Sequence, residues 1–342
     1  MHYSYTRDAH GVLHERFGLP FEAIVPGQTF LHRPGITFTQ QDNVTEALST
    51  LNSAQVHYDE SYAARTSWRR PLVVSTLTLQ RLIGMTWKTF GLARRRIESM
   101  HDVRMTRPVF AGDTLVASTE VVEVACAGEA RLRLRTAARN QHGEEVARAD
   151  YTCLAWRSEE WPAALAPIGD PASESRFASH LETSGGWLEN FGLAFEDLRD
   201  GETFEHALHR CVEPHEIASL ARDALDWAAR PPDQGAVPQS WLVGLATALT
   251  TLTLGRVSAN LGWTDVRFFR DARAGDSLRA RSTIESTRES RSRPDEGIVQ
   301  VHTALLDAHG ERVLDFRRTL LVYHRHAGPP DERASAEPSP SQ

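Results

Sequence analysis

His57 lies in a polar loop, Asn52 to His57, between two segments that read as helices, and Ser75 opens the apolar helix that follows. An imidazole changes charge near neutral pH and can both take and return a proton. The first amides of a helix have no partner within it, and they can hold a developing oxyanion. A histidine and free amides beside one cleft are the parts needed for chemistry next to a carbonyl. Asp42 and Asp59 are acidic neighbours, each better read as a helix-start residue.

The elements that must position these groups can be read along the chain. Thr39 to Leu51 is expected to be a helix opened by Thr39, and Asp59 to Thr66 a short helix. Arg70-Pro71 then stops the chain ahead of an apolar helix within Pro71 to Met85. Long alternating runs follow, TLVASTEVVEV, ARLRLRTAARN and VARADYTCLAW, with the period of half-buried antiparallel strands. His142-Gly143 sits between two of them as a hairpin turn.

The whole pattern occurs twice. GLPFEAIVPGQTF at residues 18–30 returns as GLAFEDLRDGETF at 192–204. VRMTRPVFAGDTLVAST, from Val103, returns as VRFFRDARAGDSLRARST, from Val266. NQHGEEVARADYTCLAW, from Asn140, returns as DAHGERVLDFRRTLLVY, from Asp307. The order is kept, so the chain is a duplication. The second copy has its own apolar helix (Pro238 to Leu254), its own hairpin turn (His309-Gly310) and an insertion, SRSRPDEG. One apolar helix with a run of antiparallel strands in each copy predicts an α+β fold. The expected division is 1–157 for the first unit, 158–190 for a linker, 191–325 for the second unit and 326–342 for a disordered tail. Counting along the repeat sets Asp226 opposite Asn52 and Pro231 opposite His57, so one half is expected to be catalytic and the other supporting.

Length and composition narrow the classes. The 342 residues suit two domains, and 41% hydrophobic with 24% charged residues is ordinary for a globular protein. A net charge of -7 argues against nucleic-acid binding. The three cysteines, Cys126, Cys153 and Cys211, are widely spaced, which argues against a disulfide framework or cysteine zinc site and fits a reducing cytoplasm. MHYSYTRDAHG shows no basic region followed by an apolar run, so no secretory signal is expected. The apolar stretch Trp241 to Leu254 is too short for a membrane span. No metal or redox cofactor is expected, because no P-loop, dinucleotide fingerprint or metal-spaced histidine set is present; His206, His209 and His215 read as structural.

The words around His57 resemble the MaoC-like hydratase/dehydratase family. That family's usual signature, D-x-N-P-x-H, is met at His57, with Asn52 in the aspartate position and Ala54-Gln55 in place of Asn-Pro. Longer words resemble the mesaconyl-CoA hydratases, also called β-methylmalyl-CoA dehydratases: T-x-x-D-N from Thr39, H-x-D-x-x-Y-A from His57, R-P-L-V-x-S from Arg70, A-N-L-G-W-x-D-V-R-F from Ala259, and S-R-S-R-P-D-x-G-I-V from Ser290. The resemblance spans about residues 18 to 325. It implies a tandem, double hot-dog fold, each half an antiparallel sheet wrapped around its central helix. It implies a hydro-lyase acting across the 2,3 bond of an acyl-CoA. His57 would move the proton, Asn52 would hold water, and the Ser75 amide would hold the thioester oxygen. Arg70 would meet a distal carboxylate. Asn260, Gly262 and Trp263 would line the acyl site, and Arg291 and Arg293 would meet CoA phosphates.

Three alternatives accompany that reading. The acyl group could ride on a carrier protein docked at Arg94 to Arg96, the fold could hydrolyse a thioester, or the chain could bind acyl-CoA without catalysis. Either a monomer or a homodimer is compatible with two paired halves.

Overall fold

A computed structural model describes residues 3–161, 166–181, 185–190, 192–223 and 237–327. The tail after 327, and with it the expectation of disorder there, lies outside the described residues; so do Asp226 and Pro231.

The first half carries β1 (Tyr5–Arg7), β2 (Leu13–Glu15), β3 (Thr29–Leu31) and β4 (Ile36–Thr37). Helices α1 (Gln40–Ser49), α2 (Glu60–Ala63), α3 (Ser75–Gly84) and α4 (Trp87–Phe90) follow, then β5 (Arg94–Met105), β6 (Thr114–Ala125), β7 (Arg131–Arg139) and β8 (Glu145–Ala155). Short strands β9 (Asp170–Pro171), β10 (His180–Leu181) and β11 (Trp187–Leu188) lie in the connection. The second half has β12 (Thr203–Cys211), α5 (Ile217–Asp223), α6 (Gln239–Ala248), β13 (Val257–Phe268), β14 (Ser277–Glu289), β15 (Glu296–Leu306) and β16 (Arg312–Tyr323).

Each half is an antiparallel meander laid on one helix. The order β3-β6-β7-β8-β5 forms one sheet, and β12-β14-β15-β16-β13 forms the other. Helix α3 packs on β7 and β8, and α6 packs on β15. In β7, Leu132, Leu134 and Ala138 alternate inward, and they meet Leu77 and Leu82 of α3 in one core. Full burial of each leucine contributes about 1.5–3 kcal/mol. The hairpin turns fall at Gly143 (φ 76) and Gly310 (φ 83), where a side chain would be strained. This is the tandem hot-dog architecture expected of the sequence.

Sheet membership departs from chain order at the junctions. Strand β2, which leads into the first half, pairs in parallel with β12 of the second. Strand β11, which leads into the second half, pairs in parallel with β3 of the first. The residues expected to be a bare linker therefore supply strands, because each half's outer strand needs a neighbour for its backbone groups. Behind these crossings lie two matching buried networks. His32 Nδ1 meets Glu189 Oε1 at 2.8 Å and its Nε2 meets Thr119 Oγ1 at 2.8 Å. His206 Nδ1 meets Glu15 Oε1 at 2.8 Å and its Nε2 meets Ser282 Oγ at 3.0 Å. Both histidines are fully buried, which bears out the structural reading of His206.

Candidate active site

Thr39 and Asp42 close a capping box at the start of α1: the Asp42 amide donates to Thr39 Oγ1, and the Thr39 amide donates to Asp42 Oδ2. Hydrogen bonds from Thr39 hold the Asp42 carboxyl below the usual range, so it stays charged at the helix start. Asp59 caps α2 through the Tyr62 amide. Both acidic neighbours of His57 are thus helix-start residues.

His57 ends a 3-10 turn, Gln55–His57, and is half-buried. Its Nδ1 lies 2.6 Å from the Leu72 carbonyl oxygen. A carbonyl only accepts, so Nδ1 carries a proton, and in the neutral ring Nε2 is the nitrogen with the lone pair. Among the described residues, Nε2 has no hydrogen-bond partner. The segment that supplies this carbonyl runs directly into α3. Val73 donates to Val109 O, and Val74 donates to Asn43 Oδ1. The amides of Ser75 and Thr76 have no partner among the described residues, and both residues are exposed. One short stretch, 72–76, therefore orients the imidazole and offers two free donors.

The other expected residues fall into two groups. Asn52 lies on the His57 loop, where its Oδ1 accepts from the Ala54 amide at 3.0 Å, leaving its Nδ2 as a donor. Arg70 stacks its guanidinium 3.8 Å from the Phe110 ring centroid, beside the Leu72–Phe110 bridge that edges the site. Asn260, Gly262 and Trp263 lie on β13 of the second sheet, where Gly262 marks a bulge and Trp263 Nε1 donates to Thr247. Arg291 and Arg293 are exposed in the β14–β15 turn, and Arg293 pairs with Glu296 at 3.3 Å. Among the described residues, no hydrogen bond or ion pair joins any of these five to His57.

Asn43, Gln40 and the Leu72 carbonyl were not singled out as site parts from the sequence. Asn43 stood in the T-x-x-D-N word, and its burial at 0% exposure was the missing signal. An open cleft also lies at the junction of the halves, lined by Glu15, Arg16, Lys88, Thr89, Trp187 and Glu189 and not by His57. No group of three or more metal-ligating side chains occurs among the described residues. No described helix is long and apolar enough to cross a membrane.

Two antiparallel sheets, each on one apolar helix, with a histidine loop ahead of the first helix, define a tandem hot-dog protein. A MaoC-like domain model matches residues 21–141, and the family model described as mesaconyl-CoA hydratase matches residues 173–341, so each half of the chain is similar to MaoC-like proteins. It is 35% identical over 153 residues to a mesaconyl-CoA hydratase of Cereibacter sphaeroides, covering 41% of this chain and 44% of the relative. It is 29% identical over 178 residues to a mesaconyl-CoA hydratase of Haloarcula hispanica, covering 41% of this chain and 50% of the relative. The matched regions span about half the length of these curated relatives. A Mycobacterium tuberculosis structure described as having a double hotdog fold aligns at 21% identity over 90% of this chain and 99% of that one, with a TM-score of 0.36.

Proposed function

We propose that the protein is a hydro-lyase that adds water across the 2,3 bond of a 2-enoyl-CoA thioester, or removes it in reverse. The observation that carries this reading is the His57–Leu72 contact, which in the neutral ring leaves Nε2 as an acceptor and ties the His57 loop to the stretch that runs into the unpartnered Ser75 and Thr76 amides. In the hydration direction, His57 Nε2 takes a proton from water as the water oxygen bonds to C3. The electron pair moves to the thioester oxygen, which the amides stabilise. The imidazolium then returns its proton to C2, so the elements of water are added with no further reactant. Asn52 would hold the water through its free Nδ2. The first half is catalytic in this scheme and the second supports it.

The substrate we favour is mesaconyl-CoA or a related dicarboxylic acyl-CoA. The relatives' named activity supports it, and Arg70 at the edge of the site is a cation suited to a distal carboxylate. A reducing cytoplasm suits three thiols that are all unpaired; burial pushes the Cys153 thiol up to about 11.

The test follows loss of enoyl-thioester absorbance with mesaconyl-CoA, crotonyl-CoA and a longer 2-enoyl-CoA. Turnover that vanishes in His57→Ala supports the reading, and preference for mesaconyl-CoA that falls in Arg70→Ala supports the substrate. A folded protein that binds CoA but turns over none of them would refute it.

A further inference from the structure

Asn43 is a fully buried side chain that hydrogen-bonds the backbone of both partners in the His57–Leu72 contact. Its Nδ2 donates to the carbonyl of His57 at 2.8 Å and to the carbonyl of Leu72 at 3.0 Å. Its Oδ1 accepts from the Val74 amide at 2.8 Å. The amide cannot sit the other way round, because Val74 N–H only donates and the two carbonyls only accept. Gln40 Nε2 adds a second donor to the His57 carbonyl at 2.8 Å. Helix α1, fixed at its start by the Thr39–Asp42 box, thus presents one carboxamide that ties three backbone groups from two loops.

We propose that Asn43 is a positioning residue that sets the tautomer of His57 and its distance from the first amides of α3. The inference rests on the hydro-lyase reading for its consequence in catalysis, but its structural part does not. The Leu72 carbonyl is what holds the proton on Nδ1, and Asn43 is the side chain that holds that carbonyl. If the carbonyl swings away, nothing favours the Nδ1–H form. The proton then passes to Nε2, which can no longer accept one from water. Asp in place of Asn43 keeps an acceptor for Val74 but sets a carboxylate oxygen against the two carbonyls. Ser is too short to reach all three groups.

The experiment records imidazole ¹⁵N shifts of His57 in the full-length protein, free of substrate, for wild type, Asn43→Asp and Asn43→Ser. His57→Gln identifies the signal. Asp42→Ala, which loosens the start of α1 but leaves Asn43 in place, controls for general destabilisation. The wild type and Asp42→Ala are expected to show the Nδ1–H form, and both Asn43 variants a mixture weighted toward Nε2–H. With whichever thioester is turned over, kcat is expected to fall at least tenfold in the Asn43 variants, with KM within twofold. The proposal is overturned if a folded Asn43 variant keeps the Nδ1–H form, or if Asp42→Ala loses it equally. Because the ¹⁵N measurement needs no substrate, failure of the hydro-lyase assay would leave this result standing.

Discussion

His57 Nδ1 and the Leu72 carbonyl oxygen stand 2.6 Å apart, and that contact decides which imidazole nitrogen is left to accept a proton in the neutral ring. Replacing His57 with Ala is expected to lower kcat by about 10²–10⁴-fold, the usual contribution of a general acid–base group. Because the side chain is half-buried in a surface loop, the melting temperature should move little. A loss of activity that tracked unfolding would count against the assigned role.

Asn52 stands where the family signature has aspartate. Its Oδ1 already holds the Ala54 amide, an arrangement that aspartate can reproduce. Asn52→Asp is therefore expected to fold normally and to raise kcat severalfold by supplying a second proton acceptor. Asn52→Ala loses both the turn and the water-holding amide, and should lower kcat and stability together. Steady-state kinetics beside circular dichroism separate these outcomes.

Glu189 is buried, and burial alone would raise its carboxyl; the charge and hydrogen bond of His32, with Lys88 and Thr89, hold it below the usual range instead. The Arg33 amide also donates to it, at 3.0 Å. A carboxyl lowered by folding stabilises the fold above its ordinary ionisation range, and that contribution is lost as pH falls through the lowered value. Acid sensitivity below about pH 4.5 is thus expected, and Glu189→Gln should flatten it. Glu189→Ala, which strands its partners, should cost about 3 kcal/mol at pH 7. Urea unfolding at pH 4 and pH 7 checks both statements.

Gly18 (φ 85) and Gly192 (φ 70) occupy matching corners of the two repeats. A Cβ on Gly18 would lie 2.6 Å from the Leu92 amide nitrogen, and one on Gly192 would lie 2.8 Å from that of Arg256. Alanine at either site combines backbone strain with a clash against main chain. Each is expected to destabilise by about 2 kcal/mol or more, where Gly143→Ala, with open space around it, costs only the φ penalty. Thermal melts of the three variants give the ranking.

Much of the fold was legible because its signals are local. Alternation marked β6, β7, β14, β15 and β16, and Thr39 and Asp59 announced the helices they cap. The duplication was plain from glycine, phenylalanine and threonine recurring in order. The exchange of strands was not, because pairing between β2 and β12 joins residues far apart in sequence and leaves no periodic trace. The signal for its buried core was nevertheless present: LHERFGL and WLENFGL carry Glu15 and Glu189, and TFLH and TFEH carry His32 and His206. At the site, His57 stood out by its type and loop. Asn43 did not, because a buried carboxamide among backbone groups looks in sequence like any polar residue on a helix.

In this chain neither repeat uses its own glutamate: Glu15 serves His206 and Glu189 serves His32. An ancestral gene encoding a single such repeat would have satisfied its buried histidine by trading arms with an identical chain. Fusing two copies made that trade internal, so that protein concentration no longer governs it. It also freed the two copies from having to remain identical, and in sequence only the first still carries a histidine in the loop before its central helix.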